Sequence, residues 1–133
     1  MKREHYLDHF TLGLVFHKRP LADKTLIQLK NYFCRTGEIE EEAIAHEGNK
    51  AARAIFLKNG LVFTTGFTKH SERQYSLRAP GHLDDPIVMV ELDTSNGVMF
   101  PLYDPDANLI YLCGKVRYPK ENRVNCLLFS FGL

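Results

Sequence analysis

LDTSNGVMFPLYDPDANLIYLCG, residues 92–114, holds two apolar runs set off by two polar turns. Asp93, Thr94, Ser95, Asn96 and Gly97 form the first turn and lead into the run 98–103. Asp104, Pro105, Asp106, Ala107 and Asn108 form the second and lead into 109–113. Two short apolar runs joined by a tight polar turn predict a β-hairpin.

Upstream, the same grammar repeats. Residues 38–43 alternate glutamates with Ile39, Glu41 and Ala43, as on an edge strand with one solvated face. A turn at His46, Glu47, Gly48 and Asn49 precedes a strand over 52–57. Lys58, Asn59 and Gly60 form the next turn, and Asn-Gly is the strongest short hairpin signal. Strands continue over 61–67, 73–77 and 87–92, separated by a polar loop at 68–72 and a Pro- and Gly-bearing loop at 80–86. Strands spaced by about 10 residues with turn signals between them predict an all-β meander, not a βαβ fold. Periodicity alone leaves a propeller and a sandwich both open.

The N-terminal segment has less pattern. Phe10, Leu12, Leu14 and Phe16 alternate as in one strand, which Lys18, Arg19 and Pro20 are expected to break. Asp23 is placed to cap a short helix carrying Leu26, Ile27, Leu29 and Lys30 and ending near Tyr32 and Phe33; a strand is the competing expectation there.

The totals set outer limits. A chain of 133 residues is about one domain. Seventeen Lys and Arg against sixteen Asp and Glu give a net charge of +1, which offers no electrostatic footprint for nucleic acid or an anionic membrane. No run of about 18 apolar residues is present to cross a membrane as a helix. Lys2 and Arg3 are not expected to open a secretory signal, because Glu4, His5, Asp8 and His9 interrupt the apolar stretch such a signal needs. Three cysteines, Cys34, Cys113 and Cys126, show no paired spacing, and a reducing cytoplasm is the expected setting.

Four blocks of sequence resemble the coronins, WD-repeat β-propeller proteins of the actin cytoskeleton: AHEGNKAARAIFLKNG (45–60), TTGFTKHSERQYSL (64–77), HLDDPI (82–87) and LDTSNGVMFPLYDPDANLIYLCGK (92–115). They are ordered and spaced as in the later blades of a single-propeller coronin. The implied fold is all-β, a partial WD-repeat propeller of about one and a half four-stranded blades. The implied organisation is a divergent segment 1–34, a propeller part 35–115 and a divergent tail 116–133, as in a truncated fragment or short isoform. The implied activity is binding actin filaments in the cytoplasm, with no catalysis and no cofactor.

The resemblance also implies a hydrogen-bonded set within a blade. WD blades join a Trp at the end of the third strand to a loop His and a strand Ser or Thr. His46 fits the His position and Thr64 or Thr65 the hydroxyl. Arg78 and Ala79 stand where Trp-Asp would be, and the chain has no Trp. The set is therefore expected to be incomplete, with an orphaned acceptor costing about 1–3 kcal/mol.

Other constellations carry little chemistry. His5 and His9 stand at i, i+4 without the intervening Glu of a zinc-protease helix, and a solvated segment is the simpler reading. Asp104, Asp106 and Asn108 imitate the opening of a calcium loop, but Leu109 replaces the required Gly and Pro105 favours a turn. His70, Ser71, Glu72 and Arg73 read as a solvated loop more readily than as a catalytic set. Neither a metal site nor a catalytic site is expected. Lys69 and Arg73 are the candidate basic contacts to an acidic filament. The alternative is a fragment without actin binding that associates with itself through open sheet edges. Leu127, Leu128, Phe129 and Phe131 form a charge-free run that promotes aggregation if exposed, or supplies a third strand to the last blade.

Overall fold

A computed structural model describes residues 12–21, 24–33, 38–94, 97–117 and 122–130, with side chains described for 38–94 and 97–114. Ten strands run through them: β1 (Leu12–Leu21), β2 (Lys24–Phe33), β3 (Ile39–His46), β4 (Arg53–Phe56), β5 (Val62–Phe67), β6 (Arg73–Arg78), β7 (Val88–Asp93), β8 (Met99–Asp104), β9 (Leu109–Arg117) and β10 (Asn122–Ser130). They form three antiparallel sheets of orders β1-β2-β3, β4-β5-β6-β7 and β10-β9-β8. The fold is all-β, as expected, but holds more than one and a half blades: one complete four-stranded sheet lies between two three-stranded ones.

Both ends of the chain account for the difference. Residues 24–33 form strand β2, not a helix. The strand is hydrogen-bonded on both sides, to β1 and β3, and tertiary pairing overrides a weak helical pattern. Thr25, Ile27, Tyr32 and Phe33 are also strand formers. β1 is not broken at 18–20. It continues to Leu21, and Pro20 sits opposite Thr25 on a sheet-edge strand, where proline is tolerated. At the other end, β9 runs through residue 115 to Arg117, and β10 pairs with it as the third strand of the last sheet. That register sets Cys126 opposite Cys113, a neighbourhood that their spacing did not reveal. Phe131, His5, His9 and Cys34 lie outside the described residues.

The turns follow their residues. Gly60 adopts φ 85° and donates its N–H to Leu57 O at 2.9 Å, closing the β4–β5 turn. In the β8–β9 turn, Asp104 Oδ1 accepts from the N–H groups of Asp106 and Ala107 at 3.0 and 3.3 Å. The carboxylate that imitated a calcium ligand thus serves an Asx turn.

Every residue of β5 and β6 is buried. The middle sheet has one apolar and one polar face, set by the alternation of each strand. Phe63, Tyr75 and Leu77 pack with Leu57 against Met99, Ile110 and Leu112 of the third sheet. Phe63 and Tyr75 stack with ring centroids 5.5 Å apart. On the opposite face Val62 meets Ala43 and Ala45 of β3 and Leu83, and the polar residues Thr64, Gln74, Ser76 and Arg78 are buried beside them.

Candidate functional site

The polar face centres on His46, at the end of β3 and 1% exposed. Its ring lies directly on the backbone of β5, because Gly66 has no side chain: a Cβ there would collide with the imidazole. Gln74 presents its amide Nε2 to His46 Nδ1 at 2.7 Å, so Nδ1 accepts and Nε2 carries the ring proton. That N–H meets Thr64 Oγ1 at 3.0 Å. Thr64 in turn reaches Ser76 Oγ at 2.5 Å. Burial, and then the positive charge of Arg78, lowers the pKa of His46 from 6.5 to about 3. The ring is therefore neutral at physiological pH, as the donor–acceptor chain requires.

Arg78 completes the chain instead of interrupting it. Its Nε donates to Ser76 Oγ at 2.9 Å, its Nη2 to Ala45 O at 2.8 Å, and its Nη1 to Leu83 O. The expectation of an incomplete set is overturned: the guanidinium occupies the place expected for an indole and brings several donors where an indole has one. The side chain is 1% exposed, and burial lowers its pKa while Asp84 raises it. Three loci, β3, β6 and the loop at Leu83, are tied to one planar fork.

Glu41 adds a second tie. The alternating glutamates predict a solvated acidic edge, and Glu38, Glu40 and Glu42 are exposed there. Glu41 instead accepts from the N–H groups of Gly81 and Leu83, each at 2.7 Å, and pins the loop to β3.

The other anticipated residues separate. Thr65 faces away from His46 and donates to Met99 O at 2.9 Å, linking the middle sheet to the third. Arg73, expected as a surface cation, is 3% exposed and forms a two-pronged bond to Asp93 at 2.6 and 2.5 Å. Burial removes it from any surface contact. Its Nη1 is buried without a partner among the described residues, beside Gly114, where a Cβ would collide with it. Lys69 and His70 are exposed in the β5–β6 loop, whose Thr68 hydroxyl accepts from the N–H groups of His70 and Glu72 at 3.2 Å each. Among the described residues, no group of three or more His, Cys, Asp or Glu is placed to hold a metal ion.

Gln74 and Ser76 escape a reading of the sequence. The signal is present in RQYSLR (73–78): polar residues at 74, 76 and 78 alternate with Tyr75 and Leu77 inside a strand. Such alternation reads equally as a solvated face, and only the covering sheet makes it a buried network.

A cleft of about 500 Å³ borders this seam, and His46, Gln74 and Arg78 are among the residues that line it. Ile44 of β3, Glu47, residues of the β5–β6 loop, and Asp84, Pro86, Met89 and Glu91 line it as well. The register puts Met89 opposite Ser76 and Glu91 opposite Gln74, hence on the same face of the middle sheet. Met89 is nevertheless 44% exposed, because β3 covers the inner part of that face and leaves the outer strand open.

No protein-family model matches the chain. Among solved structures, the chain is similar to the WD40 domain of Toxoplasma gondii coronin, with a TM-score of 0.63 and 22% sequence identity. The match covers 83% of this chain and 33% of that one, so the chain spans about a third of its neighbour's length. The likeness places the three sheets in a WD40-type, propeller-like fold.

Proposed function

We propose that the chain is a non-catalytic WD-repeat module of the coronin type that binds actin filaments in the cytoplasm. The observation that carries this reading is the likeness of the three-sheet array to a coronin WD40 domain, joined to the four ordered sequence blocks that resemble coronins. The WD40 architecture is a scaffold whose activity resides in the surfaces it presents, so the reading is one of binding. Lys69 is the candidate contact that keeps its side chain at the surface. Arg73 offers no such contact, since its guanidinium is committed to Asp93 inside the fold.

Cosedimentation with actin filaments tests the proposal. The purified chain is expected to pellet in a saturable, salt-sensitive manner, and Lys69→Glu to pellet less. A chain that stays in the supernatant while a complete coronin pellets overturns it.

A second reading is self-association without actin binding. It is favoured by the sheet topology, in which two sheets of three strands flank one of four and every sheet ends in edge strands among the described residues. Control runs without actin separate the two: concentration-dependent growth of the sedimenting species supports self-pairing, and a constant species contradicts it.

A further inference from the structure

We propose that the cleft between the end of β3 and β7 is a docking site for an extended peptide segment carrying lysine or arginine beside aliphatic side chains. The proposal goes beyond the actin reading: it rests on the carboxylates and aliphatic side chains of the cleft, although Lys69 lies at one end of it.

Its first support is shape and apolarity. A cleft of about 500 Å³ lies within the range of roughly 300–1,000 Å³ typical of ligand sites. Ile44 and Met89 line it while 50% and 44% exposed. Large aliphatic side chains left open in one concave surface offer area that a partner's aliphatic groups can cover.

The second support is charge. Glu47 and Glu91 line the cleft and are exposed, and their carboxylates have no hydrogen bond or ion pair among the described residues. Asp84 joins them; its field raises the Arg78 pKa, but no hydrogen bond connects the two side chains. These carboxylates stand around the cleft while the Arg78 guanidinium is turned inward, onto Ser76, Ala45 and Leu83. Lys69 offsets part of the charge at one end, and the balance remains acidic. An acidic peptide, a phosphate group or a nucleic acid would be repelled by such a rim, whereas a cationic segment would be steered toward it. The combination of open aliphatic side chains and carboxylates in one cleft therefore selects one partner chemistry.

The third support is rigidity. The cleft borders the seam in which His46, Thr64, Ser76 and Arg78 are locked, and Glu41 fixes the loop leading to Asp84. Walls held in this way do not have to be ordered when a peptide binds, which lowers the entropic cost of association.

The test uses the full chain and two fluorescein-labelled hexapeptides, one alternating leucine with lysine, the other leucine with glutamate. The lysine peptide is expected to bind, with affinity falling as salt is added, and the glutamate peptide to bind at least about tenfold more weakly. Glu91→Lys is expected to weaken the lysine peptide and strengthen the glutamate peptide. Glu47→Lys gives the same reversal if the first variant does not fold, and thermal unfolding of each variant shows that it does. Absence of binding by either peptide, equal affinity for both, or a charge reversal that leaves the preference unchanged overturns the proposal. Cosedimentation with actin reports independently, so failure of one reading is distinguishable from failure of the other.

Discussion

Arg78 decides how the first two sheets are joined. A buried guanidinium is costly to desolvate, and among the described residues no carboxylate is hydrogen-bonded to it. Its worth lies in the acceptors it satisfies. Ala45 O and Leu83 O would otherwise be left facing a dry interior, each at a cost of about 1–3 kcal/mol. Arg78→Met keeps much of the volume and recovers the desolvation cost, yet orphans those carbonyls. It should lower stability by about 2–4 kcal/mol, read as a shift in urea midpoint. Arg78→Lys retains the charge but not the fork, and should restore less than half of that loss. A methionine variant as stable as the parent would show that the seam tolerates an apolar replacement. His46 supplies a second, pH-resolved signature. Its folded pKa is about 3 against 6.5 when unfolded, so between those values the unfolded chain binds a proton that the folded chain refuses. Stability therefore rises with pH across that window and falls on acidification from about pH 6.5, by up to about 1.4 kcal/mol per pH unit from this residue. His46→Asn should flatten the slope between pH 6.5 and 5, above the range where most carboxylates titrate. An unchanged slope in urea melts across that interval would remove His46 as its source.

At the level of strands and turns, legibility tracks the local signal. β4, β5, β6 and the β8–β9 hairpin are readable because each apolar run is bounded by residues with specific turn chemistry, such as Asn59-Gly60 and the Asx turn at Asp104. β2 is not, because its spacing suits a helix as well as a strand, and what makes it a strand is pairing with β1 and β3. β10 is legible as an apolar run with two outcomes, an exposed segment or a third strand of the last blade, and its pairing with a β9 that continues past residue 115 makes it the third strand. The site divides in the same way. His46 and Thr64 can be anticipated from a resemblance. Gln74, Ser76 and Glu41 cannot, because a polar residue in an alternating strand does not announce whether water or another sheet will cover it. Arg73 and Arg78 show the limit most sharply. Arg73 reads as a solvated charge and Arg78 as the gap left by a missing Trp, yet both are buried, one against Asp93 and the other in the polar seam. Gly66 and Gly114 belong to the same class, since their importance is the close approach of a side chain from another strand.

The molecule as a whole is a middle sheet held from two sides by different forces. Toward the third sheet the contact is apolar, with Phe63, Tyr75 and Leu77 against Met99, Ile110 and Leu112; each such side chain contributes about 1.5–3 kcal/mol on burial. Toward the first sheet the small residues Ala43 and Ala45 bury little area, and the hydrogen bonds of His46, Arg78 and Glu41 make the join. β5 and β6 are the strands covered on both faces and hydrogen-bonded along both edges. Their amides cannot open without disrupting both interfaces, so they should show the slowest native-state hydrogen exchange among the described strands. β3 and β8 lie at sheet edges and should open at lower free energy. The two joins can then be separated by one substitution. Arg78→Met removes ties to β3 but leaves the apolar face untouched, so protection in β3 should fall further than protection in β8. The apolar join predicts that outcome because its energy is spread over many side chains, whereas the polar join concentrates on a single fork. Equal losses in β3 and β8, or amides in β5 and β6 no slower than those at the edges, would mean that the three sheets unfold as one unit and that the two faces do not act independently.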